Sequence, residues 1–375
     1  MDWLRDKLEI SHGNNSPLRS MEGLRGVAVF LVFWVHYGAL IKPWISGYSI
    51  PVSEFIHGFG HLGVDLFFVL SGYLIYGAII AKNRFSPLGY AKRRIQRIYP
   101  TFLAVFLIYI ALSFIFPGES KLPAANGARL IYIVQNLLLL PGLFDITPII
   151  TVAWSLSYEA FYYLLIPCVI FGLKMKSWPV ETRIAFWVLV VAAGFFIYSV
   201  MEIPVHLLMF IAGILLFEFY KNKGFTINHG GTLCLQAALA VFGFRAIYEF
   251  SYLLSMLTVF ILFLVLCLCA FNTRSNSYKW LTYTPLRWLG NMSYSYYLIH
   301  GLTLKFLFLV FGYLIPDGFN SGYLYFWLWI PFFAATLLTS FALFISIERP
   351  LSLQQPKTET ISDKLMRQTA KTAAD

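Results

Sequence analysis

Apolar stretches of about 20 residues recur along almost the whole chain, and nothing else in it constrains the fold as much. Each is long enough to cross about 30 Å of hydrocarbon. Inside a bilayer the backbone must satisfy its own hydrogen bonds, so single segments of this kind cross as helices. Candidate spans lie at roughly 22–41, 60–81, 100–117, 153–173, 184–201, 204–220, 231–247, 250–271, 288–315 and 323–347. Charged residues are only 12% of the chain, about half the share of a soluble domain. The pattern predicts an all-α integral membrane protein, a bundle of about ten transmembrane helices. It divides into a polar N-terminal segment (1–20), one transmembrane domain (21–350) and a polar, loosely ordered tail (351–375).

The basic residues orient the bundle. Loop 82–97 carries Lys82, Arg84, Lys92, Arg93, Arg94 and Arg97. Lys174, Lys176 and Arg183 follow the fourth span, Lys221 and Lys223 the sixth, and Arg274, Lys279 and Arg287 the eighth. The positive-inside rule puts all four loops in the cytoplasm. That is consistent only if the short apolar segment at 129–140 does not cross. Both termini are then cytoplasmic, the 41–57 loop is external, and the expected location is the cell (inner or plasma) membrane. Residues 1–20 are mixed polar, and the apolar run that follows is too long for a cleaved signal. The net charge of +10 reports these loops rather than a nucleic-acid partner. Cys168, Cys234, Cys267 and Cys269 all lie in apolar runs and read as small packing residues, not disulfides or metal ligands.

Polar residues inside the spans are costly and therefore informative. Arg25 and His36 are eleven residues apart in the first span. That is almost three whole turns, so both point nearly the same way, roughly 16 Å apart along the axis. The second span opens with His61 and continues through Asp65, Ser71 and Tyr73. The fourth begins at Trp154, and Ser155, Glu159 and Tyr162 follow at helical spacing. Ser293, Tyr297 and His300 repeat that spacing in the ninth. On this topology His36, Asp65 and Glu159 converge in the outer half, with His300 deeper. Arg25, the loop arginines and Glu348 gather at the inner mouth.

A histidine oriented by a carboxylate is a competent general base near neutral pH. Cytoplasmic arginines suit a phosphorylated donor, since guanidinium binds phosphate with paired hydrogen bonds. Bland readings stand beside these. A histidine in a span also serves as an interhelical hydrogen-bonding residue. Asp65 and Glu159 lie near first helical turns, where acids are favoured for other reasons. The arginines also simply set topology. His57 and His61 lack a third ligand nearby for a metal. Ser71 lacks a nucleophile elbow, and Tyr73 and Trp154 also fit packing or interface roles.

Five stretches carry a family resemblance. They are Arg25 with His36, Gly63-Val-Asp-Leu-Phe-Phe-Val-Leu-Ser-Gly-Tyr73, Arg94-Ile-Gln-Arg97-Ile-Tyr-Pro100, Trp154-Ser-Leu-Ser-Tyr-Glu159, and Gly290-Asn-Met-Ser-Tyr-Ser-Tyr-Tyr-Leu-Ile-His300. In this order, over about residues 20–350, the chain resembles the acyltransferase-3 family of membrane O-acyltransferases. The resemblance implies an acyl-CoA donor, usually acetyl-CoA, and a carbohydrate or lipid-linked glycan acceptor in the cell envelope. It implies a role for His36 in transfer and for Arg94 and Arg97 in holding CoA. Arg25 and Arg93 are read with them on the donor side. Glu159 or Asp65 is read as the group orienting His36. Ser71, Tyr73, Trp154, Ser155, Tyr297 and His300 complete the polar candidates. No tightly bound cofactor and no metal are expected, membrane lipid is a partner, and the residues leave the oligomeric state open. The competing reading is a polytopic transporter or exporter whose His, Asp and Glu form a proton relay, though the chain has no inverted repeat.

Overall fold

The structure is a computed structural model that describes residues 2–10, 16–201, 204–316 and 318–353. Most of the expected tail, from residue 354 on, lies outside the described residues. Among the described residues there are helices and no strands. Nine helical segments are long and apolar enough to cross a membrane. They are Pro17–Trp44, Ser49–Ile80, Pro87–Ile115, Thr151–Gly172, Val180–Met201, Val205–Asn222, Tyr252–Ala270, Ser293–Leu314 and Gly322–Ser352. A shorter apolar helix, Gly231–Ile247, fills the expected seventh place. The bundle of about ten helices is therefore found where the apolar pattern puts it. Large apolar side chains such as Leu107, Phe196, Leu254, Phe306 and Trp327 point outward. In a multi-pass membrane protein that surface faces lipid tails rather than water.

The segment expected not to cross forms a helix at Asn126–Leu137. Its 12 residues reach only about 18 Å, well short of the hydrocarbon thickness. Leu130, Ile131 and Val134 are exposed on it. Asn136 is buried and ties it down, donating to the Tyr132 carbonyl at 3.0 Å and accepting from the Ile149 N–H at 2.7 Å.

The stretch read as an external loop before the second span is mostly helical, Ser49–Gly60. Its glycines are packing devices rather than loop signals. A Cβ on Gly58 would meet Ala246 at 2.6 Å, and one on Gly60 would meet Val35 at 2.6 Å. Of the cysteines, Cys267 and Cys269 are buried as expected, whereas Cys168 is exposed on the bundle surface.

The second and sixth spans cross backbone to backbone. A Cβ on Gly72 would lie 1.9 Å from the Phe210 carbonyl oxygen, and one on Gly213 would lie 1.9 Å from that of Val69. Small residues permit such approach, and membrane helices gain their contact energy from it. Gly213→Ala must push the two helices apart. Overpacking of this kind costs about 1–3 kcal/mol or more. The expected result is a lower thermal midpoint in detergent; an unchanged midpoint contradicts this crossing.

Candidate active site

The sequence motifs assemble around two cavities. The smaller has a volume of about 70 Å³ and is lined by Arg25, Arg97, Ser71, Ser155, Glu159, Tyr163, Ser293, Tyr294 and Tyr297, with apolar residues between them. The larger is a cleft of about 650 Å³ lined mainly by apolar residues of the first, third and ninth spans. His36 is on its wall, with Lys121, Glu119 and Lys305 also along it.

Five spans build the smaller cavity. Arg25 enters from the first, half-buried, with its Nε buried and without a hydrogen-bond partner among the described residues. Arg97 enters from the third and is paired with Glu348 at 3.0 Å. Its guanidinium also lies over the Tyr294 ring at 5.7 Å. Glu348 is fully buried in a π-helical segment, Phe344–Ser352. Its second oxygen accepts from the Ser295 N–H at 2.9 Å and the Ser295 hydroxyl at 2.6 Å. The wider turn is a common local device at functional sites. From the fourth span, Glu159 accepts hydrogen bonds from Tyr163 and from Ser71, the latter at 3.4 Å. The charges that act on Arg25 come from Arg97, Glu159 and Glu348. A cation, a free N–H donor and a balancing carboxylate thus share one small space.

The arginines of the basic loop separate by position. Arg97 lines the cavity. Arg94, one turn earlier, is held between the rings of Tyr90 and Tyr163 at 5.1 and 4.9 Å. Arg93 is exposed. The helical spacing of Arg94 and Arg97 keeps both on the inner side of the helix, and Arg93 falls off it.

His36 is half-buried, and its ring lies 4.9 Å from that of His300, inclined at 63°. His300 is fully buried, and its Nδ1 lies 2.9 Å from the Tyr296 carbonyl. A carbonyl only accepts, so Nδ1 carries the hydrogen. In the neutral ring Nε2 then keeps the lone pair, and it has no partner among the described residues.

Neither carboxylate is bonded to His36, contrary to the sequence expectation. Glu159 is committed to Tyr163 and Ser71. Asp65 is fully buried and lies 2.7 Å from Nδ1 of His206, whose Nε2 lies 2.9 Å from the Tyr252 hydroxyl. This second polar cluster ties the second, sixth and eighth spans together. His206 escaped the sequence reading because its partner is remote in the chain. The one signal was a histidine at the start of the sixth span.

The remaining candidates divide. Ser71, Ser155 and Tyr297 line the smaller cavity. Tyr73 is buried among Phe217 and Phe271, and Trp154 packs against Tyr158 and Phe68, so neither reaches it. Tyr162 was expected beside Ser155 and Glu159. Its hydroxyl instead donates to the Leu207 carbonyl at 2.7 Å while its ring stacks on Phe210 at 4.1 Å. Tyr163, four residues from Glu159, takes the place at the cavity.

Known proteins resemble this chain in sequence. The chain is 31% identical over 173 residues to the O-acetyltransferase OatA of Staphylococcus aureus, covering 43% of this chain and 26% of that protein. It is 28% identical over 156 residues to BcsY of Komagataeibacter xylinus, described as a putative membrane-bound transacylase, covering 40% of this chain and 36% of that one. The matches thus span about a quarter to a third of these relatives. No solved structure matches. The profile of the acyltransferase domain known as acyltransferase-3 matches residues 18–345, nearly the whole described bundle and every motif around the two cavities, and the chain belongs to that family.

Proposed function

We propose that the protein is a membrane O-acyltransferase that moves an acetyl group from cytoplasmic acyl-CoA to a hydroxyl of a cell-envelope or exported glycan. The observation that carries this is the division of labour between the cavities: Arg25 and Arg97 around the small one, and His36, in ring contact with His300, on the large one. The names of the relatives, an O-acetyltransferase and a transacylase, favour the same chemistry. The basic loops favour a cytoplasmic entry for the anionic donor and cytoplasmic termini.

In this reading Arg97 and Arg94 engage phosphates of the donor, with Arg93 as an outer contact. Arg97 trades part of its pairing with Glu348 for the phosphate. Arg25 lies along the path of the pantetheine arm, and its free Nε–H is a ready donor to a carbonyl of that arm, while the thioester itself reaches on to His36. His36 takes the proton from the acceptor hydroxyl. The oxygen then bonds to the acyl carbon, the C–S bond breaks, and the proton passes from His36 to the departing thiolate. Products are the O-acyl glycan and free CoA thiol. His300, its tautomer fixed by Tyr296, replaces a carboxylate as the neighbour of the base. Direct transfer needs no acyl-enzyme, and Ser71, held by Glu159, is a cavity-lining hydroxyl here.

Purified protein should release CoA from acetyl-CoA only when a glycan acceptor is present. Flux of substrate through liposomes without chemistry would instead support the transporter reading. Losing one charge-assisted phosphate contact costs roughly 1.5–3 kcal/mol, or about ten- to a hundredfold. Arg97→Ala should therefore raise the KM for the donor by that factor, and Arg97→Lys should recover part of it because it lacks the fork. An unchanged donor KM in both variants would reduce the cluster to a topology signal.

A further inference from the structure

The larger cleft carries a charge imbalance. Apart from His36, its charged lining residues are Glu119, Lys121 and Lys305, two cations to one carboxylate. Glu119 is ion-paired with Lys305, and both side chains are about half exposed. Lys121 has no carboxylate partner among the described residues. Its Nζ donates to the Pro148 carbonyl at 2.9 Å, to the Thr151 hydroxyl at 3.0 Å and, more weakly, to the Ile149 carbonyl at 3.5 Å. These acceptors are neutral, so they hold the ammonium in place without cancelling its charge. Desolvation, and after it the charge of Lys305, push the Lys121 amino group below its ordinary value. The two cations thus repel each other, and an anion between them would relieve the repulsion. Thr151 also lines the cleft. Its oxygen accepts from Lys121, so its own hydrogen is left to donate.

The ninth span sets the spacing from the histidines. Lys305 lies five residues beyond His300, roughly 7.5 Å along the axis, and the His300 ring contacts that of His36. Gly301, one turn before Lys305, lines the same cleft. A Cβ there would meet nothing nearer than the Tyr109 hydroxyl at 3.9 Å, so this part of the wall leaves room. Phe116 and Phe306 line the cleft and are exposed on the bundle surface, so it is open to an entering molecule.

We infer that Lys121, Thr151 and Lys305 form a subsite for an acidic group of the acceptor, a carboxylate or phosphate on the acylated sugar or on its neighbour. This deepens the reading of the protein as a glycan O-acyltransferase and rests on it. With the reacting hydroxyl at His36, the acid reaches Lys305, displaces Glu119 from it and takes the free hydrogen of Thr151. Glu119 holds the place of the acid while the cleft is empty.

The test uses the purified full-length protein and three matched oligosaccharides: a neutral one, one with a hexuronate in place of one hexose, and one with that hexose as its 6-phosphate. Binding is measured by thermophoresis without acyl-CoA, and transfer by CoA release from acetyl-CoA. The acidic oligosaccharides should bind about tenfold more tightly than the neutral one, the effect of one charge-assisted contact at the lower end of its range. Added salt should shrink that advantage. Lys305→Met and Lys121→Met should each erase most of it. Glu119→Gln removes the competing carboxylate and should increase it, a gain that a damaged fold cannot produce. The tighter of the two acidic oligosaccharides identifies the group. Equal binding of neutral and acidic oligosaccharides, or a ratio that neither the lysine variants nor Glu119→Gln move, would overturn the subsite. Acid-selective binding with no CoA released from any of the three would keep the anion subsite and overturn the transferase reading.

Discussion

His36→Gln should abolish acyl transfer while leaving a folded, membrane-inserted protein that still binds acyl-CoA. Glutamine keeps size and hydrogen-bonding capacity but cannot take up a proton near neutral pH. If His36 is the general base, the expected loss is about 10²–10⁴ in rate. The donor should still bind, because Arg25 and Arg97 line the other cavity. A purely packing histidine predicts the opposite: His36 touches His300 by ring contact, and glutamine would preserve most of the interaction. The pH–rate profile offers a second view, since the limb that belongs to this histidine should vanish in the variant. Full activity in a well-expressed His36→Gln protein would move the base elsewhere, with His300 the next candidate. His300→Gln should be milder, because it acts on the neighbouring ring rather than on the acceptor.

Arg25→Ala should raise the donor KM about ten- to a hundredfold, the expected consequence of losing one charge-assisted contact to the donor arm. The buried Nε has no partner among the described residues, and a native protein leaves such a group unsatisfied only rarely. Arg25→Lys retains the charge but not the planar donor set, so a deficit close to that of alanine is expected. The measurement is the donor KM together with kcat at saturating donor; an unchanged KM with a fallen kcat would contradict this placement and put Arg25 at the reacting carbonyl instead.

Much of the fold and part of the site were legible in the sequence. The spans follow from apolar length, and the short non-crossing helix at Asn126–Leu137 follows from that criterion combined with the basic loops. Arg25, Arg97 and Glu348 were expected at one mouth, and Arg25 and Arg97 do share a cavity beside Glu348. The span assignment and the basic loops were enough for that. They failed where the answer lay in contacts between distant segments. The partner of Asp65 is His206, more than a hundred residues away, and no local pattern announces it. The choice between Tyr162 and Tyr163 is one step of helical phase, and the phase depends on where the fourth span seats against the sixth. The 41–57 stretch was read as a loop between the first two spans, yet Ser49–Gly60 is helical. In a tightly packed bundle its glycines allow close approach.

In the proposed mechanism donor and acceptor meet from opposite membrane faces. Oriented proteoliposomes test it, with acetyl-CoA supplied only on the side of the arginine-rich loop and glycan only on the other. The account predicts acetylated glycan on the far side with the wild-type protein, and none with His36→Gln. Acetylation only when both substrates share one face, or equal product from the His36→Gln protein, would contradict it.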